Sequence, residues 1–123
     1  MKLFSLLTCD EVHIDPQSGK HFILGHFSSI KVSKFPAIHP ELTLFAALTE
    51  VPPGEHLLEV KFGPTPESAK TLLEQKLTSK GLAERLYSIS TLTEIPFEKD
   101  GSVVFEIWVD KTLLGSTTLS ASK

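Results

Sequence analysis

Five histidines stand out in a chain of 123 residues: His13, His21, His26, His39 and His56. Imidazoles carried on separate strands can converge on a metal ion, and Zn²⁺ takes three or four such ligands. None of the five forms a local ligand pair at helical spacing, and no HExxH occurs. His21 and His26 fall on opposite faces of an ideal strand unless a bulge at Gly25 changes the parity. His39 lies between prolines and His56 follows Pro52-Pro53-Gly54, so both read as solvated. The histidines therefore read as scattered, with a histidine-ligated metalloprotein as the rival, and the sequence assigns no cofactor and no metal ligand.

Nucleophilic chemistry finds no better footing. Cys9 is the sole cysteine, has no base in its neighbouring sequence, and reads as a buried thiol. The serines near the end (Ser116, Ser120, Ser122) lack a GxSxG elbow. Asp15, Asp100 and Asp110 sit in or beside turns, where carboxylates could gather round Ca²⁺ but more often do turn chemistry. There is no Walker loop, GxGxxG, CxxC or paired-carboxylate spacing. No catalytic residue is assigned, and enzyme status stays open with a lean towards none.

Trp108 is the most informative side chain. In 102–110, Val103, Phe105, Ile107 and Val109 share one strand face and read as core. Val104, Glu106, Trp108 and Asp110 share the other, wetter face. An aromatic among polar neighbours has the composition of a contact surface. The candidate surface is thus Trp108 with Val104 and Glu106; the competing reading is that a loop or the 66–80 segment covers it.

The elements that must position these residues are short apolar runs punctuated by Gly and Pro. The first runs from Leu3 to about Ile14 and turns at Asp15-Pro16-Gln17-Ser18-Gly19. The second runs from Lys20 to about Val32, interrupted at Gly25. Phe35-Pro36 and His39-Pro40 demand extended backbone before each proline and read as a connection. Leu42, Leu44, Ala46 and Leu48 alternate with Thr43, Phe45, Ala47 and Thr49, so that strand's second face is partly apolar too. Leu58, Val60 and Phe62 against Glu59 and Lys61 give the cleanest half-buried strand. Thr65-Pro66 with Ala69, Leu72, Leu73 and Leu77 allows a short helix over 66–80, ended by Gly81. A strand from Thr71 to Leu77 is the alternative. Strands at 86–95 and 103–109 follow, then a hairpin through Asp110-Lys111 into 113–119, with 120–123 fraying.

The resulting expectation is one all-β domain over 1–123, an antiparallel two-sheet sandwich of seven or eight strands. Charged residues are 22% of the chain and apolar residues 41%, which excludes disorder. Net charge is −3 and Arg85 is the only arginine, which argues against nucleic acid. No apolar run reaches the ~18 residues that cross a membrane. A lone cysteine and the lack of any Asn, hence of N-glycosylation sites, suit a cytoplasmic protein. Met1–Cys9 superficially resembles a lipoprotein signal, but its apolar stretch is too short and it reads as a first strand.

Several stretches resemble a family of small bacterial proteins known only as a domain of unknown function: Cys9-Asp10-Glu11-Val12, Ser18-Gly19-Lys20, Ile23-Leu24-Gly25-His26-Phe27, and Phe35-Pro36 with His39-Pro40. Near the end, Phe105-Glu106-Ile107-Trp108-Val109-Asp110 and Leu114-Gly115-Ser116 are similar to the family's closing hairpin, although Lys111 stands where a type I′ turn favours Gly. The resemblance implies an immunoglobulin-like β-sandwich, tips 70–78 towards strand and implies no activity. The functional expectation is a non-enzymatic sandwich acting through protein contact or self-association. Its rival is a small-ligand or carbohydrate-binding sandwich that stacks its ligand on Trp108 or Tyr87.

Overall fold

A computed structural model describes all 123 residues. The chain is all-β, with ten strands: β1 Lys2–Cys9, β2 Glu11–Ile14, β3 His21–Leu24, β4 Ser29–Lys31, β5 Ala37–Thr49, β6 Gly54–Gly63, β7 Lys70–Ser79, β8 Leu86–Phe97, β9 Gly101–Val109 and β10 Thr112–Ser122. They form a three-stranded sheet β1-β5-β8, a five-stranded sheet β4-β10-β9-β6-β7, and the separate hairpin β2-β3. Pairing is antiparallel except between β4 and β10, which run parallel. No helix is long and apolar enough to cross a membrane.

Both larger sheets contribute to one core. Leu42, Leu44, Ala46 and Leu48 of β5 pack in the same cluster as Leu58 and Val60 of β6 and Phe105, Ile107 and Val109 of β9. Their alternation in sequence is the period-2 signature of strands buried on one face.

Several boundaries differ from the sequence-based expectation. The first apolar run breaks into β1 and β2, and the second into β3 and β4. Gly25 sits between the latter two at φ +70. A side chain there would collide with the Asp10 carboxylate, 2.2 Å from an ideal Cβ, so only glycine lets the two segments approach. The proline-rich connection is partly strand: β5 begins at Ala37 and runs through His39 and Pro40, paired to β8.

The helix considered over 66–80 is absent. Pro66–Ser68 form a single 3₁₀ turn, and Lys70–Ser79 is β7, paired along its length with β6. Local helical spacing was weak, and a full antiparallel partner overrides it. In the strand, Leu73 packs against the core and Leu77 is buried. The end of β10 does not fray either. Ser120–Ser122 pair with Ser29–Lys31, and Leu119 and Ala121 are core residues.

Candidate functional site

The outer face of the five-stranded sheet carries the side chains singled out from sequence. Trp108 lies opposite Glu59 of β6 on one side and Leu113 of β10 on the other. Val104, Glu106 and Trp108 do share a face. The expectation that this face is wet is corrected, because Val104 and Glu106 are buried and Trp108 half-buried. The strand within the 66–80 segment lies in the same sheet rather than across the indole. Instead, the Lys61 ammonium lies 3.9 Å from the Trp108 ring centroid, and the indole N–H donates to Glu106 Oε1 at 3.2 Å. A central strand flanked by long amphipathic side chains is shielded by their stems.

Glu59 belongs to the same lattice. It is 4% exposed, accepts from Lys111 Nζ at 2.9 Å and from Thr71 Oγ1 at 3.3 Å. The Lys111 hydrogen bond, opposed by burial, holds the Glu59 carboxyl below its ordinary range, and the same bond raises Lys111. Chemically this surface is a set of paired groups, Lys111 on Glu59 and the Trp108 N–H on Glu106, around one half-shielded indole, with the exposed carboxylate of Glu74 across from Glu59.

At one end of the sheet, Asp110 and Lys111 form the β9–β10 turn with φ +50 and +67. That is type I′ geometry in spite of the missing glycine. Side-chain anchors hold the strained backbone. Asp110 Oδ1 accepts from the Leu57 N–H at 2.9 Å, and Asp110 Oδ2 lies 2.5 Å from His56 Nδ1. His56 Nε2 lies 2.7 Å from the Pro52 carbonyl oxygen. Two acceptors flank the ring, so both nitrogens donate and the imidazole is cationic. The Asp110 bond, then the Pro52 carbonyl, raise the His56 pKa; the His56 bond in turn lowers that of Asp110. The solvated His56 expected from sequence is therefore a mostly buried structural pin.

The remaining imidazoles lie apart. His13 contacts Glu11 on the hairpin, His39 packs near Phe27, and His26 is exposed. No three His, Cys, Asp or Glu side chains come together as a metal-holding group. Cys9 is fully buried beneath the hairpin, its thiol 3.6 Å from the Glu11 carbonyl oxygen and 3.7 Å from that of Thr43. Burial, with the Asp10 charge second, raises its pKa and keeps it a thiol.

A second surface escaped the sequence reading. On the outer face of the three-stranded sheet, Phe45 lies across from Tyr87's neighbour Ile89, and Ala47 pairs with Tyr87 itself. The hairpin β2-β3 folds over this face. Its His21 ring sits 4.1 Å from Tyr87 and 5.6 Å from Phe45, which is 5.9 Å from Tyr87. Between hairpin and sheet an open cleft of about 560 Å³ is lined by this trio together with Phe4, Ile23, Lys20, Ser5, Gly19 and Ala47. Phe4 is the bulge residue of β1, skipped in the β1–β5 register and 60% exposed, with the Arg85 guanidinium 4.0 Å from its ring. The available signal was Phe45, an aromatic on the supposedly outer side of its strand. The partner rings lie far off in sequence, His21 24 residues before Phe45 and Tyr87 42 after it, so no local pattern could gather them.

The hairpin's two faces differ. Val12, Ile14, His21 and Ile23 share the face turned to the cleft, and Glu11, His13, Phe22 and Leu24 share the other. Phe22 and Leu24 point away from the body, 51% and 47% exposed.

Fold and surfaces together define an all-β protein of packed sheets with an aromatic cleft under a hairpin flap and a shielded charged lattice on the opposite sheet. The sequence matches the family of unknown function DUF6941 over residues 5–122, and the chain belongs to that family. No curated protein matches it.

Proposed function

We propose that this chain is a non-enzymatic contact module, an immunoglobulin-like sandwich of the bacterial cytoplasm that binds a protein partner or a second copy of itself. One observation carries the reading: Phe22 and Leu24 stand side by side on the outward hairpin face, half exposed. Adjacent large apolar side chains held in water by a paired backbone are the composition of an interface centre. Their polar neighbours on that face, Glu11 and His13, are already paired with each other at 3.1 Å and supply a rim.

Trp108, with Glu106 and Val104 beneath it, remains a second proposed contact. Exposed Leu113 directly across from it supports that role, and stacking by a partner requires Lys61 to leave the ring. A small-ligand or carbohydrate reading is favoured by the position of Tyr87 in the aromatic cleft.

The test is an affinity capture from native extract using wild type, a Phe22→Ser/Leu24→Ser variant and Trp108→Ser, with circular dichroism as the folding control and sedimentation for self-association. A near-stoichiometric partner, or a dimer, lost with the hairpin variant supports the module and locates its face. Loss with Trp108→Ser alone moves the contact to the sheet. Identical backgrounds for all three baits, with a monomer by sedimentation, would sink the contact reading. Binding on a glycan array would then favour the ligand alternative.

A further inference from the structure

The aromatic cleft has a gap and a charge that together specify an occupant. His21 of the hairpin meets Phe45 and Tyr87 of the sheet in one aromatic cluster, with centroids 4.1 to 5.9 Å apart and the His21–Phe45 contact edge-on. Phe4 stands in the lining apart from that cluster, with Arg85 over its ring, so the cleft carries a further aromatic side chain beyond the trio. Its volume of about 560 Å³ falls within the roughly 300–1,000 Å³ of ligand clefts. An aromatic side chain fills such a space well, since ring pairs at about 4.5–7 Å attract beyond the effect of burial alone.

The rim is cationic. Lys20 lines the cleft, and Arg85 is fixed against Phe4. Neither takes part in an ion pair, and no carboxylate is among the lining residues. Of the acids nearby in sequence, Glu50 pairs with Lys2 at 3.3 Å and Asp15 accepts from Ser18 Oγ at 2.6 Å, while neither is among the residues that line the cleft. Two cations free of ion pairs, one in the lining and one against its Phe4, thus stand at an aromatic slot that has no carboxylate of its own.

We propose that the cleft docks a peptide segment of a partner protein in which an aromatic residue, flanked by Asp or Glu, inserts between Phe4 and the His21–Phe45–Tyr87 wall while its carboxylates meet Lys20 and Arg85. The proposal rests on the contact-module reading and adds the partner's chemistry.

The experiment is a selection of random displayed peptides on the immobilised full-length protein, with a Phe4→Ser variant as counter-target. Fluorescence anisotropy follows, using the best peptide labelled with fluorescein. Phe4, Lys20 and Arg85 are all exposed, so the Phe4→Ser and Lys20→Glu/Arg85→Glu variants leave the core intact; circular dichroism verifies this. The expected result is enrichment of aromatic residues with adjacent acids, and affinity reduced roughly tenfold or more by the double charge reversal, as two surface attractions become repulsions. The proposal is overturned if no peptide is enriched over the counter-target. It is equally overturned if enriched peptides lack acids or bind the charge-reversed variant unchanged. A dimer that dissociates with Phe4→Ser, or a glycan that blocks the cleft in place of any peptide, overturns it too. A partner captured through Phe22 and Leu24 would survive each of these failures, so the two readings are separable.

Discussion

Replacing His56 by Gln should cost stability at pH 6 and progressively less as the pH rises towards 9. The ring is clamped between the Asp110 carboxylate at 2.5 Å and the Pro52 carbonyl oxygen at 2.7 Å, and it can satisfy both only as the imidazolium. Histidine in an unfolded chain titrates near about 6.5. In the fold it titrates higher, because the Asp110 bond and the Pro52 carbonyl outweigh burial. The stabilisation is therefore complete below the unfolded value and lost as pH climbs through the folded one. Hydrogen bonds to charged groups contribute ~1.5–3 kcal/mol. The Asp110 side chain is 44% exposed and partly screened by water, which places the loss near the lower end, about 1.5 kcal/mol. For a domain of this size 1 kcal/mol moves Tm by about 4 °C, so the gap at pH 6 is about 6 °C. Urea denaturation of wild type and variant at pH 6, 7, 8 and 9 gives the difference directly, and titrations common to both proteins cancel. A gap that stays constant from pH 6 to 9, or widens with pH, would refute the assignment of a cationic pin.

Asp110→Ala removes acceptors for His56 and the Leu57 N–H and leaves a non-glycine turn at positive φ unsupported; a loss of ~2 kcal/mol in urea is expected, and the Leu57 and turn part of it persists as the pH rises and the histidine variant's effect shrinks. Gly25→Ala should destabilise by ~1–2 kcal/mol, combining the left-handed backbone penalty with displacement of the Asp10 carboxylate, as read from the urea midpoint. Phe105→Ala, at a fully buried position of central β9, should cost ~3–5 kcal/mol by the same measurement. Glu59→Gln should flatten the acid limb of the stability profile: the wild-type carboxyl titrates below its ordinary range, so its contribution is present above about pH 4.3 and fades as pH falls through the lower folded value.

The strands that were legible from sequence are those whose alternation marks the face turned to the core, even though their other faces are covered as well. Leu42–Leu48, Leu58–Phe62 and Val103–Val109 all fall where their periodicity puts them. What the pattern could not report is who stands beside a strand. Glu106 reads as a wet residue, yet β9 lies between β6 and β10, so Lys61 and Trp108 close over it. His56 follows a turn and reads as solvated, because the carboxylate that claims it lies 54 residues on. The 66–80 segment has neither strong helical nor strong strand periodicity, and its pairing with β6 decides the outcome. The aromatic cleft was invisible for the same reason. Tyr87 was singled out only as a lone stacking platform and His21 only among the histidines; with Phe45 and Phe4 they become a site only through sheet order and the fold-over of the hairpin.

The parallel pairing of β4 with β10 also shapes how the chain reaches its native state. Ser29 meets Ser120 across 91 positions, and β1 meets β5 over as many as 47, from Lys2 to Thr49. Only β2-β3, β6-β7 and β9-β10 join strands adjacent in the chain with short connections. Those hairpins close on the microsecond scale, whereas the distant pairings wait for loop-closure entropy to be overcome, so this topology belongs with the slow, ms–s folders. Until β4 docks, the β10 edge and the core residues Leu119 and Ala121 stay open to water. The late step of folding is the one that closes the β10 edge over Ser120–Ser122, and crowded refolding should lose material at that step before any other.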